Sequence, residues 1–189
     1  MTTVSIIGNG NMGTAIGALV TEGGNAVEHL GRGAAPISGE IVVLAVPHPA
    51  LAEVVAVHGP QLAGKVVIDI TNPLDFATFD GLVVDADGSA AADLAAALPE
   101  SRVLKAFNTN FAATLAAKRV GEAQTTVLVS GDDDEAKQLV ADVFTAGGVK
   151  VIDAGALKRA RELEAIGFLQ LTLAVQEKTS WTGGFSLSA

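Results

Sequence analysis

The sequence of 189 residues predicts an α/β fold built on a doubly wound, mostly parallel sheet. Three observations carry that expectation. Short β-rich runs alternate along the chain with Ala-rich stretches of helical length. The β-rich runs are apolar almost without interruption, as strands are when helices cover both faces of a sheet. Only eight residues, 33–40, separate Arg32, at the tip of the second run, from the next strand, so the first half of the sheet is truncated after strand two.

The elements follow in order. "TVSIIG" is a buried strand that leads into a helix over 11–22. "NAVEHL" is the second strand. "GEIVVLAVP" is the third, followed by the helix "HPALAEVVAVHG". "GKVVIDITNP" is the fourth, and "SAAADLAAALP" is the next helix. "SRVLKAFNT" is the fifth strand, followed by the short helix "FAATLAAKR". "TTVLVSG" is the sixth, followed by the helix "DDDEAKQLVADVFTAGG", whose opening carboxylates suit a helix N-terminus. "VKVIDAG" is the seventh, followed by a helix over 157–176. The eight residues after Arg32 reach about 26 Å when extended. That is enough to return along a strand and too little for a helix and a further strand. The edge of strand two is then exposed or covered by a partner. With no repeat, long linker or low-complexity tail, residues 1–189 are expected to form a single domain.

Composition narrows the function. Hydrophobic residues make up 49%, enough for a packed core, and no apolar run approaches the roughly 20 residues of a membrane span. The start "MTTVSIIG" has no basic n-region or cleavage site, so no signal peptide is expected. Cysteine is absent, which excludes disulfides, thiolate metal sites and cysteine nucleophiles and fits a cytoplasmic protein. A net charge of −9 argues against nonspecific nucleic-acid binding. His29, His48 and His58 are too far apart in sequence to suggest a metal site. Tyrosine is absent, and no Ser-His-Asp order or paired-carboxylate motif occurs. The partner expected is a small molecule, with no nucleic acid and no membrane.

"GNGNMG" matches G-x-G-x-x-G between a buried strand and a helix, the context that makes the match specific. Gly8 permits the tight turn, Gly10 lets the backbone approach a pyrophosphate, and Gly13 lets helix and strand pack closely. Asn9, Asn11 and Met12 complete the turn, and the free amides of the helix start face the anion. This is the fingerprint of a NAD(P)-binding Rossmann fold. NAD-preferring sites carry an acid at the tip of strand two to bond the ribose. Here the tip reads Gly31 and Arg32. Arg32 can pair with a 2′-phosphate and Gly31 leaves room for it, while Glu28 falls inside the strand, so the cofactor expected is NADP(H).

Four strand ends are chemically suggestive at the ligand face. "AVPHP" places Ala45, Val46, Pro47 and His48 over the pyrophosphate and nicotinamide ribose. Thr71, Asn72 and Pro73 in "DITNPLD", and Phe107, Asn108 and Thr109 in "KAFNTNF", offer neutral hydrogen-bonding groups and an aromatic face. Hydride transfer needs orientation more than acid–base power. "DAGALKRARELE" is the fourth. His48 is the one histidine at such an end; it either donates a proton to a reduced acceptor or only hydrogen-bonds a phosphate or ribose. His29 and His58 are structural or exposed. Arg159, Arg161, Glu162 and Glu164 have the spacing of i,i+3 ion pairs on a helix face.

"GNGNMG", Arg32, "VVIDITNPL", "VLKAFNT", "VLVSGDDDEAK" and "VIDAGALKRARELEAIG" together resemble, in order, the coenzyme F-420-dependent NADP oxidoreductase family. They also resemble the reductase domain of STEAP-type metalloreductases. The resemblance implies a Rossmann fold that moves a hydride between NADP(H) and a deazaflavin or flavin by juxtaposing the two rings. It places the nicotinamide near Val46, Pro47, His48 and Asn72. The acceptor would lie near Asn72, Phe107, Asn108, Thr109 and the "GALKRA" turn. This chain departs from the family where larger members carry further elements after Arg32, and at Gly31, where a serine or threonine is usual. Related Rossmann enzymes complete their sites with a large helical domain, and none fits after Gln176.

The leading expectation is therefore an NADP(H)-dependent oxidoreductase acting on a flavin, coenzyme F-420 or another flat acceptor. The alternatives are a reductase of a small imine or carbonyl with His48 as proton donor, and an NADP(H)-binding redox-sensing module without turnover. "GFLQLTLAV", Trp181 and Phe185 either pack as core or form a dimer face. The truncated edge and the apolar tail predict a homodimer.

Overall fold

Interleaved apolar faces organise the chain around one sheet. A computed structural model describes residues 1–31 and 33–187. The first elements are β1 (Thr3–Ile7), α1 (Asn11–Glu22), β2 (Ala26–Leu30), β3 (Ile41–Leu44), α2 (Leu51–Leu62), β4 (Val66–Asp69), α3 (Ala90–Ala97) and β5 (Arg102–Ala106). After them come α4 (Ala112–Ala117), β6 (Arg119–Val120), β7 (Ala123–Gln124), β8 (Thr126–Gly131), α5 (Asp134–Ala146), β9 (Lys150–Gly155) and α6 (Ala160–Val175). Short 3₁₀ turns at His48–Ala50 and Leu157–Arg159 lead into α2 and α6.

Seven strands form one sheet in the order β2-β1-β3-β4-β5-β8-β9. Side chains alternate across it. Val66 and Ile68 of β4 join a core with Ile16 and Leu19 of α1 and Val140 and Phe144 of α5. Val67 between them joins the opposite core with Val54 of α2 and Leu94 of α3. The uninterrupted apolar runs are thus two half-patterns superposed. Each fully buried Val, Leu or Ile contributes about 1.5–3 kcal/mol to holding the layers together.

The truncated first half is present as expected. β2 pairs with β1 alone among the described strands and forms the sheet edge. The return over residues 33–40 is fastened at several points. Ile37 N–H donates to Gln61 Oε1 at 3.0 Å, and Gln61 Nε2 donates to the Ala35 carbonyl at 3.2 Å. Gly39 N–H donates to Ser5 Oγ at 2.9 Å. Glu28 accepts from Ser5 Oγ at 2.6 Å and from Ser38 Oγ at 3.0 Å.

Two features of the fold were not in the sequence reading. β6 and β7 form a small separate antiparallel ribbon. All neighbouring pairs in the main sheet are parallel except β5 and β8, which are antiparallel, so β8 and β9 run opposite to the rest. The carboxyl end of β9, carrying "GALKRA", was expected at the ligand face. β9 enters that turn running away from the ligand face, yet Gly155 stays level with Ile7 through the register Gly155–Ser130–Lys105–Asp69–Leu44–Ile7, and α6 carries the chain back. No described helix is long and apolar enough to cross a membrane.

Candidate active site

The turn after β1 is built for close approach. Gly8 has φ +121°, a conformation L side chains rarely adopt, and a Cβ there would overlap the Ala45 carbonyl oxygen at the end of β3. Its N–H donates to the Leu30 carbonyl at 3.0 Å, which joins the ends of β1 and β2. A Cβ on Gly13 would come within 2.5 Å of the Gly8 carbonyl oxygen, so helix and turn touch. Gly10 is different: a Cβ there would meet nothing within 4 Å. Gly10 is the N-cap of α1 without a side-chain cap, and the first turn holds no acid. Thr14 N–H is the first to bond inside the helix, to the Gly10 carbonyl at 3.0 Å. Open space and amides without a side-chain partner at a helix N-terminus fit a phosphate group.

Asn9 is exposed beside this turn, and Gly31 is exposed at the tip of β2 with open space around it. Arg32 lies outside the described residues. Glu28 is committed to the linker, and the Ser5 hydroxyl foremost holds its carboxyl below the usual carboxylate range.

Beyond the turn lies a cavity of about 390 Å³ bordered by Asn11, Met12, Ile70, Asn72, Phe107, Asn108, Asn110, Phe111, Leu171 and Trp181. Asn72 and Asn108 form a reciprocal pair: Asn72 Nδ2 donates to the Asn108 carbonyl, and Asn108 Nδ2 donates to Asn72 Oδ1, both at 2.9 Å. Asn108 Nδ2 also donates to the Leu163 carbonyl at 2.8 Å. Both of its amide hydrogens are therefore engaged by the protein. Gly167 of α6 seats against this pair, and a Cβ there would overlap Asn72 Oδ1. Phe107 has φ 63° and is fully buried, its ring 4.7 Å from that of Phe144. Phe107 thus borders the cavity from its buried floor, packed on Phe144, while Phe111 and Trp181 add two further aromatic walls, their ring centroids 5.0 Å apart.

Beneath the cavity is a charge cluster that the sequence reading missed. Lys105 Nζ lies 2.8 Å from Asp69 Oδ2 and 2.7 Å from Glu164 Oε1, with all three side chains fully buried. It also donates to the Thr71 carbonyl at 2.6 Å. Glu164 accepts from the Ala90 and Ala91 amides at 3.0 and 3.3 Å, so the start of α3 helps to neutralise the second carboxylate. The cluster ties β4, β5, α3 and α6 together directly below Asn72. Its signal was a charge inside each of two apolar strands, "VVID" and "VLKA". Glu164 is accordingly not part of an exposed helix-face pair. Only Arg159 and Glu162 follow that expectation, at 3.0 Å, with both side chains about half exposed.

The other expected residues are dispersed. Thr71 and Pro73 are buried and border no described cavity, and the Thr71 hydroxyl has no partner. Thr109 is buried, and its carbonyl accepts from Gln170 Nε2 at 3.0 Å. Ala45 N–H donates to the Ile7 carbonyl at 2.8 Å, Val46 packs into the core beside α2, and Pro47 is exposed. His48 borders a separate cavity of about 420 Å³ between α2 and α3, with Leu51, Asp93 and Leu94. His29 is exposed, and His58 is buried with neither ring nitrogen partnered. Among the described residues no group of His, Cys, Asp or Glu could hold a metal ion.

A mostly parallel sheet, a glycine turn with unclaimed helix amides and a cleft at the same strand ends define a Rossmann-type dinucleotide-binding fold. No protein-family model matches the chain. In sequence it is 33% identical over 149 residues to the F420-dependent NADP reductase of Methanocaldococcus jannaschii, covering 77% of this chain and 66% of the relative. It is 39% identical over 107 residues to Metalloreductase STEAP3 of Rattus norvegicus, covering 56% of this chain and 20% of that protein. A solved structure from Arthrobacter sp. FB24, described provisionally as an F420-dependent NADP reductase, superposes over 100% of both chains with TM-score 0.86 at 23% identity, a likeness of fold. The chain is thus related to the F420-dependent NADP reductases, as its ordered motifs implied, and it spans about two thirds (66%) of the length of the first such relative.

Proposed function

We propose that this chain is an NADP(H)-dependent oxidoreductase that passes a hydride between NADPH and a flavin, a deazaflavin such as coenzyme F-420, or a similar flat acceptor. One observation carries the reading. Asn11 and Met12 belong both to the uncapped start of α1 and to the wall of the neutral, aromatic-lined cavity. A dinucleotide anchored at the turn would therefore extend directly towards a space suited to a second ring.

Residues Gly8, Asn9, Gly10, Asn11, Met12 and Gly13 hold the pyrophosphate. Gly31 and Arg32 receive the 2′-phosphate. Ala45, Val46 and Pro47 flank the nicotinamide ribose, and Asn72 frames the nicotinamide side of the cleft, with Thr71 and Pro73 buried behind it as its support. Bound NADPH supplies a hydride, which carries two electrons to the acceptor while solvent supplies one proton. The chain contributes orientation and exclusion of water rather than acid–base chemistry. None of the residues bordering the cavity is charged.

His48 borders a different cavity, so nothing in the site favours the imine or carbonyl reading. Half-exposed Leu169, Val175, Phe185 and Leu187 support a homodimer, to be tested by light scattering at micromolar concentration. The function is tested by following NADPH oxidation with riboflavin, FMN and coenzyme F-420. Stoichiometric oxidation is expected. Tight NADPH binding with no turnover on any of them would leave a binding module in its place.

A further inference from the structure

We propose that the segment following α6 forms part of the acceptor site, and that Trp181 supplies the aromatic face against which an uncharged, flat heteroaromatic ring docks. The inference rests on the hydride-transfer reading for the identity of the acceptor. Its geometry is independent of that reading.

The segment is folded back and fastened. α6 ends at Val175, and Glu177 takes a left-handed conformation with φ 58°. Lys178 N–H donates to the Leu173 carbonyl at 2.8 Å, which reverses the chain. A turn from Ser180 to Gly183 closes at 2.9 Å. Gly184 has φ +128°, and a Cβ there would come within 2.7 Å of Gln170 Oε1. That oxygen accepts from Phe185 N–H at 2.8 Å, while Gln170 Nε2 donates to the Thr109 carbonyl at 3.0 Å. Gln170 is 2% exposed. A single buried amide therefore joins the returning tail to the loop after β5, where Phe107 and Asn108 border the cavity.

Trp181 is carried by this strap to the cavity wall. It packs on Phe111, yet 51% of it stays exposed. A large apolar side chain half-exposed beside a concave site is the informative kind of exposure. The cavity's polar groups are amides, from Asn11, Asn72, Asn108 and Asn110, with no formal charge among its bordering residues. Its volume of about 390 Å³ lies at the lower end of the range for small-molecule sites. These features select a planar, neutral ring with hydrogen-bonding edges. Any anionic appendage of the acceptor stays outside.

Trp181 is the one tryptophan and tyrosine is absent, so protein emission reports this position alone. The experiment titrates emission of the full chain with riboflavin and with coenzyme F-420, and measures KM for each acceptor and for NADPH. Saturable quenching by an acceptor is expected. Trp181→Ala should raise the acceptor KM about tenfold, the loss of one stacking face, and leave the NADPH KM within about twofold. Trp181→Phe should recover most of the loss, and unchanged melting curves verify folding of both variants. Emission that neither acceptor moves, or an acceptor KM unchanged in Trp181→Ala, overturns the proposal while leaving hydride transfer standing. Saturable quenching without NADPH oxidation overturns hydride transfer while leaving the aromatic site standing.

Discussion

Replacing Lys105 by methionine removes the ammonium at the centre of the buried cluster while keeping most of its volume. Asp69 and Glu164 would then share one dry site with no cation between them. Each keeps backbone donors: Asp69 accepts from Thr71 N–H at 2.8 Å, and Glu164 accepts from Ala90 and Ala91. Those bonds temper the repulsion without replacing the lost charge. Breaking a buried ion pair by removing one partner costs about 3–5 kcal/mol, against a total stability of about 5–15 kcal/mol for a typical domain. For a chain of this length each kcal/mol shifts Tm by about 2–4 °C, so Lys105→Met should lower Tm by about 6–20 °C. Calorimetry and urea titration measure this. Adding Glu164→Gln to the variant removes one of the stranded charges and should recover about 1–3 kcal/mol. A Lys105→Met protein within about 1 kcal/mol of the parent, or a double variant less stable than the single one, would refute the role assigned to the cluster.

Other perturbations separate folding from binding. Gly10→Ala places a methyl in open space, so melting should be unchanged while NADPH affinity falls about tenfold by calorimetry. Gly8→Ala meets both the positive φ and the Ala45 carbonyl, and should cost at least about 1–3 kcal/mol in urea titrations before any ligand is added. Glu28→Gln should cost about 1 kcal/mol at pH 7. The folded-state pKa of Glu28 is depressed, so the charge stabilises above its ordinary value of 4.5 and ceases to do so as pH falls through the depressed value. Urea midpoints of parent and variant should therefore differ at pH 7 and converge towards pH 3. Arg32→Ala should weaken NADPH about tenfold or more and NADH little, measured by cofactor fluorescence; equal losses would contradict its role as the 2′-phosphate partner.

Much of this architecture was legible in the residues because it rests on local patterns. The runs "TVSII" and "VVID" read as strands from their apolar continuity, "GNGNMG" reads as a phosphate turn from its place between strand and helix, and the short return to β3 follows from counting residues. Pairing direction is not a local property. Nothing in "TTVLVSG" distinguishes an antiparallel from a parallel neighbour, so the reversal of β8 and β9 is not legible there. Ribbons as short as β6 and β7 leave too little periodicity to read. Lys105 and Glu164 misled for another reason. Charged side chains are almost never fully buried unless paired, and their partners come from β4, β5 and α6, far apart in sequence. The placement of Trp181 beside the cavity, rather than in the core or on a dimer face, was not legible because it depends on the fold-back of the tail after Glu177.

Helix α6 touches three different parts of the molecule at intervals of three residues. Glu164 meets the buried ammonium, Gly167 seats the paired amides, and Gln170 fastens the returning tail. At a rise of 1.5 Å per residue these anchors span about 9 Å along one side of the helix. One inserted residue between Glu164 and Gln170 would turn everything beyond it by about 100°, unseating the tail while the lower anchor held. Deletion would do the same in the opposite sense. The helix therefore works as a gauge: its outward positions are free to change in identity, but its length between those anchors is not. Insertions and deletions in related chains should be confined to segments such as the turns over 75–88, which carry no such spacing.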